Sequence, residues 1–299
     1  MTTVTTRDGT ELYLKEWGRG RPVVMLHGWP LSSDTFDDLS LALADAGMRA
    51  IAYDRRGFGR SSQPWDGYDY DTLADDLAAV MAATHARDAT LLGFSMGGGE
   101  VARYLSRHGA ARVSQAVLVS TVVPCMVKSA SNPGGVSPAT FEAMAEAIRT
   151  DRAKVWTAFF ADFYGVGFLA QPVSSEVIAW SAAMAMQASL KATLDCAAAF
   201  ATTDFRPDLP AFTVPTLLIH GTSDRTVPIA VSSRKAAAAI PGSTLIEYDG
   251  APHGLFASHK QRLIADVVTF VTGRDARATT PLEVAPVAPS LYPIEPSFG

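Results

Sequence analysis

Ser95 sits in Gly93-Phe94-Ser95-Met96-Gly97, a Gly-x-Ser-x-Gly segment. A serine hydroxyl is a weak nucleophile near neutral pH. It attacks a carbonyl only when a base within hydrogen-bond reach takes its proton and an acid orients that base. Candidates for both follow in the chain. Asp224 stands in His220-Gly221-Thr222-Ser223-Asp224, after an apolar run ending at Ile219. His253 stands in Gly250-Ala251-Pro252-His253-Gly254, after a run ending at Tyr248. Serine, acid and histidine in that order suit acyl transfer through a covalent acyl-serine, with His253 shuttling the proton and Asp224 holding its tautomer. Taken alone, Asp224 reads as a helix N-cap ahead of Pro228, and His253 as a turn histidine. Behind Ser95 the catalytic reading is preferred for both. Asp249 is a competing acid, but four residues before His253 it reads better as a turn residue.

The tetrahedral intermediate of such a reaction carries an oxyanion that needs preorganised donors. One expected donor is the backbone N–H of Met96, at the start of the helix after Ser95, where the helix dipole also helps. The other is expected from the loop His27-Gly28-Trp29-Pro30, with Trp29 N–H as the candidate. Pro30 has no N–H but biases Trp29 toward an extended backbone. His27 and His220, at strand ends, read as structural. No clustered His, Cys or acidic pattern suggests a metal site. The run Asp54-Arg55-Arg56-Gly57-Phe58-Gly59-Arg60 lacks the third glycine of a dinucleotide fingerprint, since position 62 is serine. It is read as a structural turn with paired or solvated arginines.

These residues need a frame of strands and helices to hold them. Ala89 to Leu92 reads as a short buried strand before Ser95, and Glu100 to Leu105 as a helix after it, so Ser95 falls on a sharp strand-to-helix turn. A side chain at 93 or 97 would collide with the adjacent backbone there. Gly97, Gly98 and Gly99 occupy the first helical turn although each disfavours helix by roughly 1 kcal/mol relative to alanine. Close backbone approach is therefore expected. Arg7-Asp8-Gly9 between β-type runs signals a hairpin. Further strands are expected over 22–26, 49–53, 116–119, 216–219 and 244–248. Helices are expected over 36–46, around Leu73 to Met81, over 229–240, and on Leu263, Val267, Phe270 and Val271. Alternating strands and helices predict a mainly parallel sheet covered on both faces.

The alternation breaks between 122 and 205, where the pattern is helical and rich in aromatics: Phe141, Trp156, Phe159, Phe160, Phe163, Trp180 and Phe200. This stretch is read as a helical cap inserted into a core of residues 1–121 and 206–273. Its aromatics either line an acyl or aryl pocket or form the cap's own core. Residues 274–299 carry five prolines without helical periodicity and read as a disordered or loosely docked tail.

The 299 residues, 48% hydrophobic, suffice for one large domain with an insertion. A net charge of −5 without a basic run argues against a nucleic-acid partner. No apolar run has the length of a membrane span, and no secretory leader is visible. Cys125 and Cys196 lack metal-type spacing and fit reduced, buried thiols of a cytoplasmic protein.

Together, His27-Gly28-Trp29-Pro30, Asp54-Arg55-Arg56-Gly57, Gly93 to Gly99, Asp195-Cys196, Thr203 to Pro207 and Ala251-Pro252-His253-Gly254 resemble the bacterial arylesterases and cofactor-free haloperoxidases (perhydrolases) of the α/β-hydrolase fold. The resemblance spans about residues 3–273. Trp29-Pro30-Leu31 is similar to the haloperoxidase branch and Phe94-Ser95-Met96 to the arylesterase branch. It implies hydrolysis of small carboxylic esters and perhydrolysis with hydrogen peroxide as co-substrate, with no cofactor. The roles it implies fall on Ser95, Asp224 and His253, with oxyanion donors at Trp29 and Met96. The pocket it implies lies near Pro30, Met126, Phe159, Phe163, Phe200 and Val227, and a homo-oligomer is implied. A lactonase or amidase using the same residues, or a non-catalytic receptor on this fold, remain alternatives. A haloalkane dehalogenase is excluded, because it needs a carboxylate where Ser95 stands.

Overall fold

A computed structural model describes residues 2–167 and 170–274. Of the tail expected over 274–299, all but Arg274 lies outside the described residues. Strands β1 (Thr2–Thr5) and β2 (Glu11–Gly18) form the expected antiparallel hairpin, with Gly9 at φ 86° in its turn. Six more strands follow: β3 (Pro22–Leu26), β4 (Arg49–Tyr53), β5 (Ala89–Phe94), β6 (Val113–Val119), β7 (Thr216–Gly221) and β8 (Thr244–Tyr248). The sheet order is β1-β2-β4-β3-β5-β6-β7-β8, and every pairing among β3 to β8 is parallel. All residues of β3, β5 and β7 are buried. With both faces covered they read as continuous apolar runs, not as alternating ones.

Helices cover the sheet: α1 (Asp37–Asp45), α2 (Tyr70–Ala83), α3 (Met96–His108), then α4 (Pro138–Phe163), α5 (Ser175–Gln187) and α6 (Leu190–Thr202), then α7 (Ser233–Ala239), α8 (Leu255–Ser258) and α9 (Lys260–Thr272). In α2 the periodic residues Leu73, Leu77, Val80 and Met81 are buried, and Asp69 caps the helix by accepting the Thr72 N–H at 3.0 Å. The helix expected over 229–240 begins only at Ser233. Residues 229–232 form turns instead, with Val231 N–H bonded to Pro228 O and Ser232 N–H to Ile229 O. Between β6 and β7 the chain runs through α4, α5 and α6, a helical insertion. Helix α4 is interrupted at Asp151, whose backbone is extended and whose carboxylate accepts the Lys154 N–H at 3.0 Å, starting the second half afresh. Ser189 likewise caps α6 by accepting the Ala192 N–H at 2.9 Å. No described helix is long and apolar enough to cross a membrane. Both cysteines are free and buried.

The arginine-rich turn after β4 is fully engaged in ion pairs. Arg56 binds both oxygens of Asp76 at 2.6 Å and reaches Asp8, and Arg60 binds Asp54. Arg55 is buried against Glu100 of α3, with its Nε 2.6 Å from Oε1, and it also donates to the His27 carbonyl at 2.6 Å. Tyr53 donates to the other Glu100 oxygen at 3.2 Å. Burial raises the Glu100 carboxyl above its usual range and the Arg55 charge pulls it back. One guanidinium thus ties the ends of β3 and β4 to α3. Removing one partner of a buried pair leaves an uncompensated charge at a cost of about 3–5 kcal/mol. Glu100→Ala is therefore expected to lower unfolding free energy by about that much in urea titrations, and Arg55→Met with Glu100→Leu to recover part of it. A loss below about 1 kcal/mol for Glu100→Ala would show that the pair is not a structural tie.

Candidate active site

The four segments singled out by sequence emerge at the C-terminal ends of β3, β5, β7 and β8, on one edge of the sheet. Ser95 joins β5 to α3 with φ 54° and ψ −115°, a conformation that side-chain-bearing residues rarely adopt. The surrounding glycines permit it. A Cβ on Gly93 would lie 2.4 Å from the Gly97 carbonyl, and one on Gly97 2.2 Å from the Leu26 carbonyl. Gly99 is needed for a different contact, since its Cβ would strike Phe205 and Tyr70 at 2.5 and 2.7 Å. Ser95 N–H is anchored to Val119 O at 2.8 Å.

Strands β5 and β7 are separated by β6, so their ends lie roughly 10 Å apart. The His253 ring spans the gap between the residues they carry. Its Nε2 is 3.0 Å from Ser95 Oγ, and its Nδ1 is 2.6 Å from Asp224 Oδ2. An ionised carboxylate only accepts, so Nδ1 carries the proton and Nε2 is free to take the one from Ser95. The ring is wedged between Phe94 and Phe163, at centroid distances of 5.3 and 4.8 Å, and Ser120 Oγ donates to the His253 carbonyl at 3.2 Å. Asp224 does not cap a helix. Its Oδ1 accepts the Val227 N–H at 2.7 Å within the loop after β7. Asp249 is exposed and accepts from Thr222, away from His253.

His27 is buried, and burial together with the Arg55 charge lowers its pKa to about 3, so its ring is neutral. It accepts the Arg55 N–H at Nε2, at 3.0 Å. His220, read from the sequence as structural, lies with its Nε2 3.0 Å from Asp224 Oδ2. Periodicity carries no signal for that contact, although the four-residue spacing from His220 to Asp224 across a tight turn makes it possible.

The loop carrying Trp29 lies against Ser95. A Cβ on Gly28 would be 2.9 Å from the Phe94 ring and 3.2 Å from Ser95 Cβ. Met96 opens α3, so its N–H belongs to the first turn, which has no intrahelical acceptor. The Trp29 indole points into the insertion, donates to Thr193 O at 2.9 Å, and meets Trp156, Phe159 and Phe200 edge-on at 5.3 to 5.6 Å. A cavity of about 210 Å³ opens above Ser95. Trp29, Phe159, Phe200 and Val227 line it, together with Val122, Val136, Thr140, Phe141, Met144, Asp162, Arg225 and Thr226. Pro30, Met126 and Phe163 are not on that wall. Pro30 follows a cis peptide bond, Met126 is buried, and Phe163 backs the His253 ring. Asp162 from α4 pairs with the exposed Arg225, next to Asp224, bridging insertion and core beside the cavity.

The chain belongs to the family described as the alpha/beta hydrolase fold, which it matches over residues 21–260. Among its relatives, the non-heme chloroperoxidase CPO-A1 of Kitasatospora aureofaciens is 43% identical over 271 residues, covering 89% of this chain and 98% of that protein. The bifunctional esterase/perhydrolase DCH of Acinetobacter calcoaceticus is 40% identical over 271 residues, covering 90% and 98%. The crystal structure of a bromoperoxidase from Bacillus anthracis superimposes with a TM-score of 0.88 at 41% identity, covering 91% of this chain and 99% of that one.

Burial alone would raise the Asp224 carboxyl. Electrostatic attraction to His253 and hydrogen bonds from both histidines outweigh it and hold the pKa at about 2, below the ordinary 3.8. A carboxyl whose folded pKa is depressed adds stability that is fully present above its unfolded value and lost as pH falls through the folded one. Here that contribution is about 2 kcal/mol. The difference in unfolding free energy between wild type and Asp224→Asn is therefore expected to shrink as pH drops from about 5 toward about 2, measured by denaturant titration. A difference independent of pH over that interval would contradict the depressed carboxyl.

Proposed function

We propose that the protein is a cofactor-independent serine hydrolase that cleaves small carboxylic esters through an acyl-enzyme on Ser95 and transfers the acyl group to water or to hydrogen peroxide. The observation that carries the reading is the unbroken relay from Ser95 Oγ through His253 to Asp224, open to a largely apolar cavity. Relatives named as non-heme chloroperoxidases and as an esterase/perhydrolase support the choice of acceptors.

In this reading Ser95 Oγ attacks the ester carbonyl carbon as His253 Nε2 takes the hydroxyl proton. The oxyanion is stabilised by the N–H groups of Trp29 and Met96, and the alcohol leaves with the proton from His253. Water or hydrogen peroxide then attacks the acyl carbon, again giving a proton to His253, and Ser95 leaves. The product is an acid or a peracid. Any halide oxidation would be carried out by the peracid in solution.

Ser95→Ala is expected to lower ester turnover by about 10³-fold or more while the fold is retained. Peracid formation should fall by the same factor, because both products arise from one intermediate. Peracid formation that survives in Ser95→Ala would separate perhydrolysis from the acyl-enzyme and overturn this mechanism.

A cavity of about 210 Å³ is small beside the roughly 300–1,000 Å³ of pockets for drug-sized ligands. Kinetics across p-nitrophenyl esters from acetyl to hexadecanoyl should therefore show kcat/KM falling with chain length. Phe159→Ala, which removes a ring from the wall, should shift the optimum to longer acyl groups. Equal efficiency on the shortest and longest esters would contradict a closed acyl pocket.

A further inference from the structure

His220 is buried near the end of β7, four residues before Asp224. Its Nε2 faces two acceptors, Asp224 Oδ2 at 3.0 Å and the Val227 carbonyl at 2.9 Å. Two acceptors at one ring nitrogen require that nitrogen to carry the proton. The other, Nδ1, is 2.7 Å from Ser233 Oγ of α7, a hydroxyl able to donate to it. The tautomer of His220 is therefore set from both sides: its Nε2–H bonds to the Val227 carbonyl, and the same Nε2 lies 3.0 Å from the carboxylate oxygen that holds His253.

Asp224 receives donors from three directions: His253 Nδ1–H and His220 Nε2–H at Oδ2, and Val227 N–H at Oδ1. Two of these come from its own strand and loop. Without the His220 contact, Oδ2 would be held in that cavity-facing loop only by the imidazole it is meant to orient. A hydrogen-bonding group aligned in pairs needs a second support to be held within a fraction of an ångström.

We infer that His220 is a positioning residue for the reaction, locking the rotation of the Asp224 carboxylate so that Oδ2 stays directed at His253 Nδ1. The inference rests on the reading of Ser95, His253 and Asp224 given above. His220 touches neither substrate nor the reacting atoms. It acts through Asp224, and its loss should lower kcat and leave KM nearly unchanged.

Two near-isosteric substitutions separate this role from packing. In His220→Gln the amide NH₂ falls near the position of imidazole Nε2 and can still donate to Asp224. In His220→Asn the amide falls near Nδ1, facing Ser233, and Oδ2 keeps only His253 Nδ1–H. Steady-state kinetics on p-nitrophenyl acetate, with thermal melts of each variant, provide the test. His220→Asn is expected to lower kcat about ten- to a hundredfold at similar KM, the size of a lost hydrogen bond to a charged group. His220→Gln should recover kcat to within about threefold of wild type, even if both variants melt at similarly lower temperatures. In the Asp224→Asn background, His220→Asn should have little further effect. Equal losses of kcat in the Gln and Asn variants, or a rise in KM in place of a fall in kcat, would overturn the positioning role. If Asp224→Asn alone collapses kcat while His220→Asn does not, only the His220 inference falls. If Asp224→Asn leaves kcat intact, the reading of the acid falls and takes the inference with it.

Discussion

The site depends on one backbone constraint. Ser95 must turn the chain from β5 into α3 at φ 54°, so that its hydroxyl stands clear of the sheet while its N–H stays bonded to Val119. Such a conformation costs on the order of 1–3 kcal/mol and persists only where its surroundings over-determine it. Here they do so by exclusion. With no side chain at 93 or 97, α3 can approach β5 and β3 closely enough for carbonyls to occupy the space a Cβ would need. The same tightness brings Gly28 against Ser95, so the loop after β3 and the start of α3 converge on Ser95.

Around this turn the charges are arranged in two tiers. Beneath it, Arg55, Glu100, Tyr53 and His27 form a buried network that fixes the ends of β3 and β4 relative to α3. Above it, Asp224 is kept ionised by donors from the loop and from two histidines, while Phe94 and Phe163 flank the His253 ring. The insertion completes the site from the other side. Trp29 is shared between the two, its backbone in the loop beside Ser95 and its indole bonded to α6 among the rings of Trp156, Phe159 and Phe200. The aromatic-rich pattern of the insertion therefore serves both readings left open by the sequence. Phe159 and Phe200 line the cavity, and Trp156 and Phe160 are buried core.

Much of this was legible in the sequence because it was local. The elbow, its glycines, the hairpin and the continuous apolar strands are set by chemistry within a few residues, and the order of Ser95, Asp224 and His253 followed from where strand-like runs end. What escaped was set across the sheet. The resemblance implies Phe163 as a pocket residue, yet the direction of the last turn of α4 sends its ring against His253. Arg225 and Asp162 lie 63 positions apart by their numbers and meet only because the insertion folds back beside the loop after β7. The sequence places the start of α7 too early because Ile229 and Val231 continue an apolar pattern that the turns from Pro228 use for packing, not for helix. His220 reads as structural from the sequence because its place at a strand end accounts for it, and only the turn that follows reveals its contact with Asp224.

In the proposed mechanism Ser95 becomes covalently acylated with His253 as the base. The most direct test of this step is to mix the protein with excess p-nitrophenyl acetate, quench in acid within the first turnover, and map the adduct by peptide mass spectrometry. One acetyl group per chain is predicted, on Ser95, with the adduct absent when His253 is replaced by alanine. An acetyl group mapped to another residue, or p-nitrophenol released in a stoichiometric burst without any adduct on Ser95, would contradict the account.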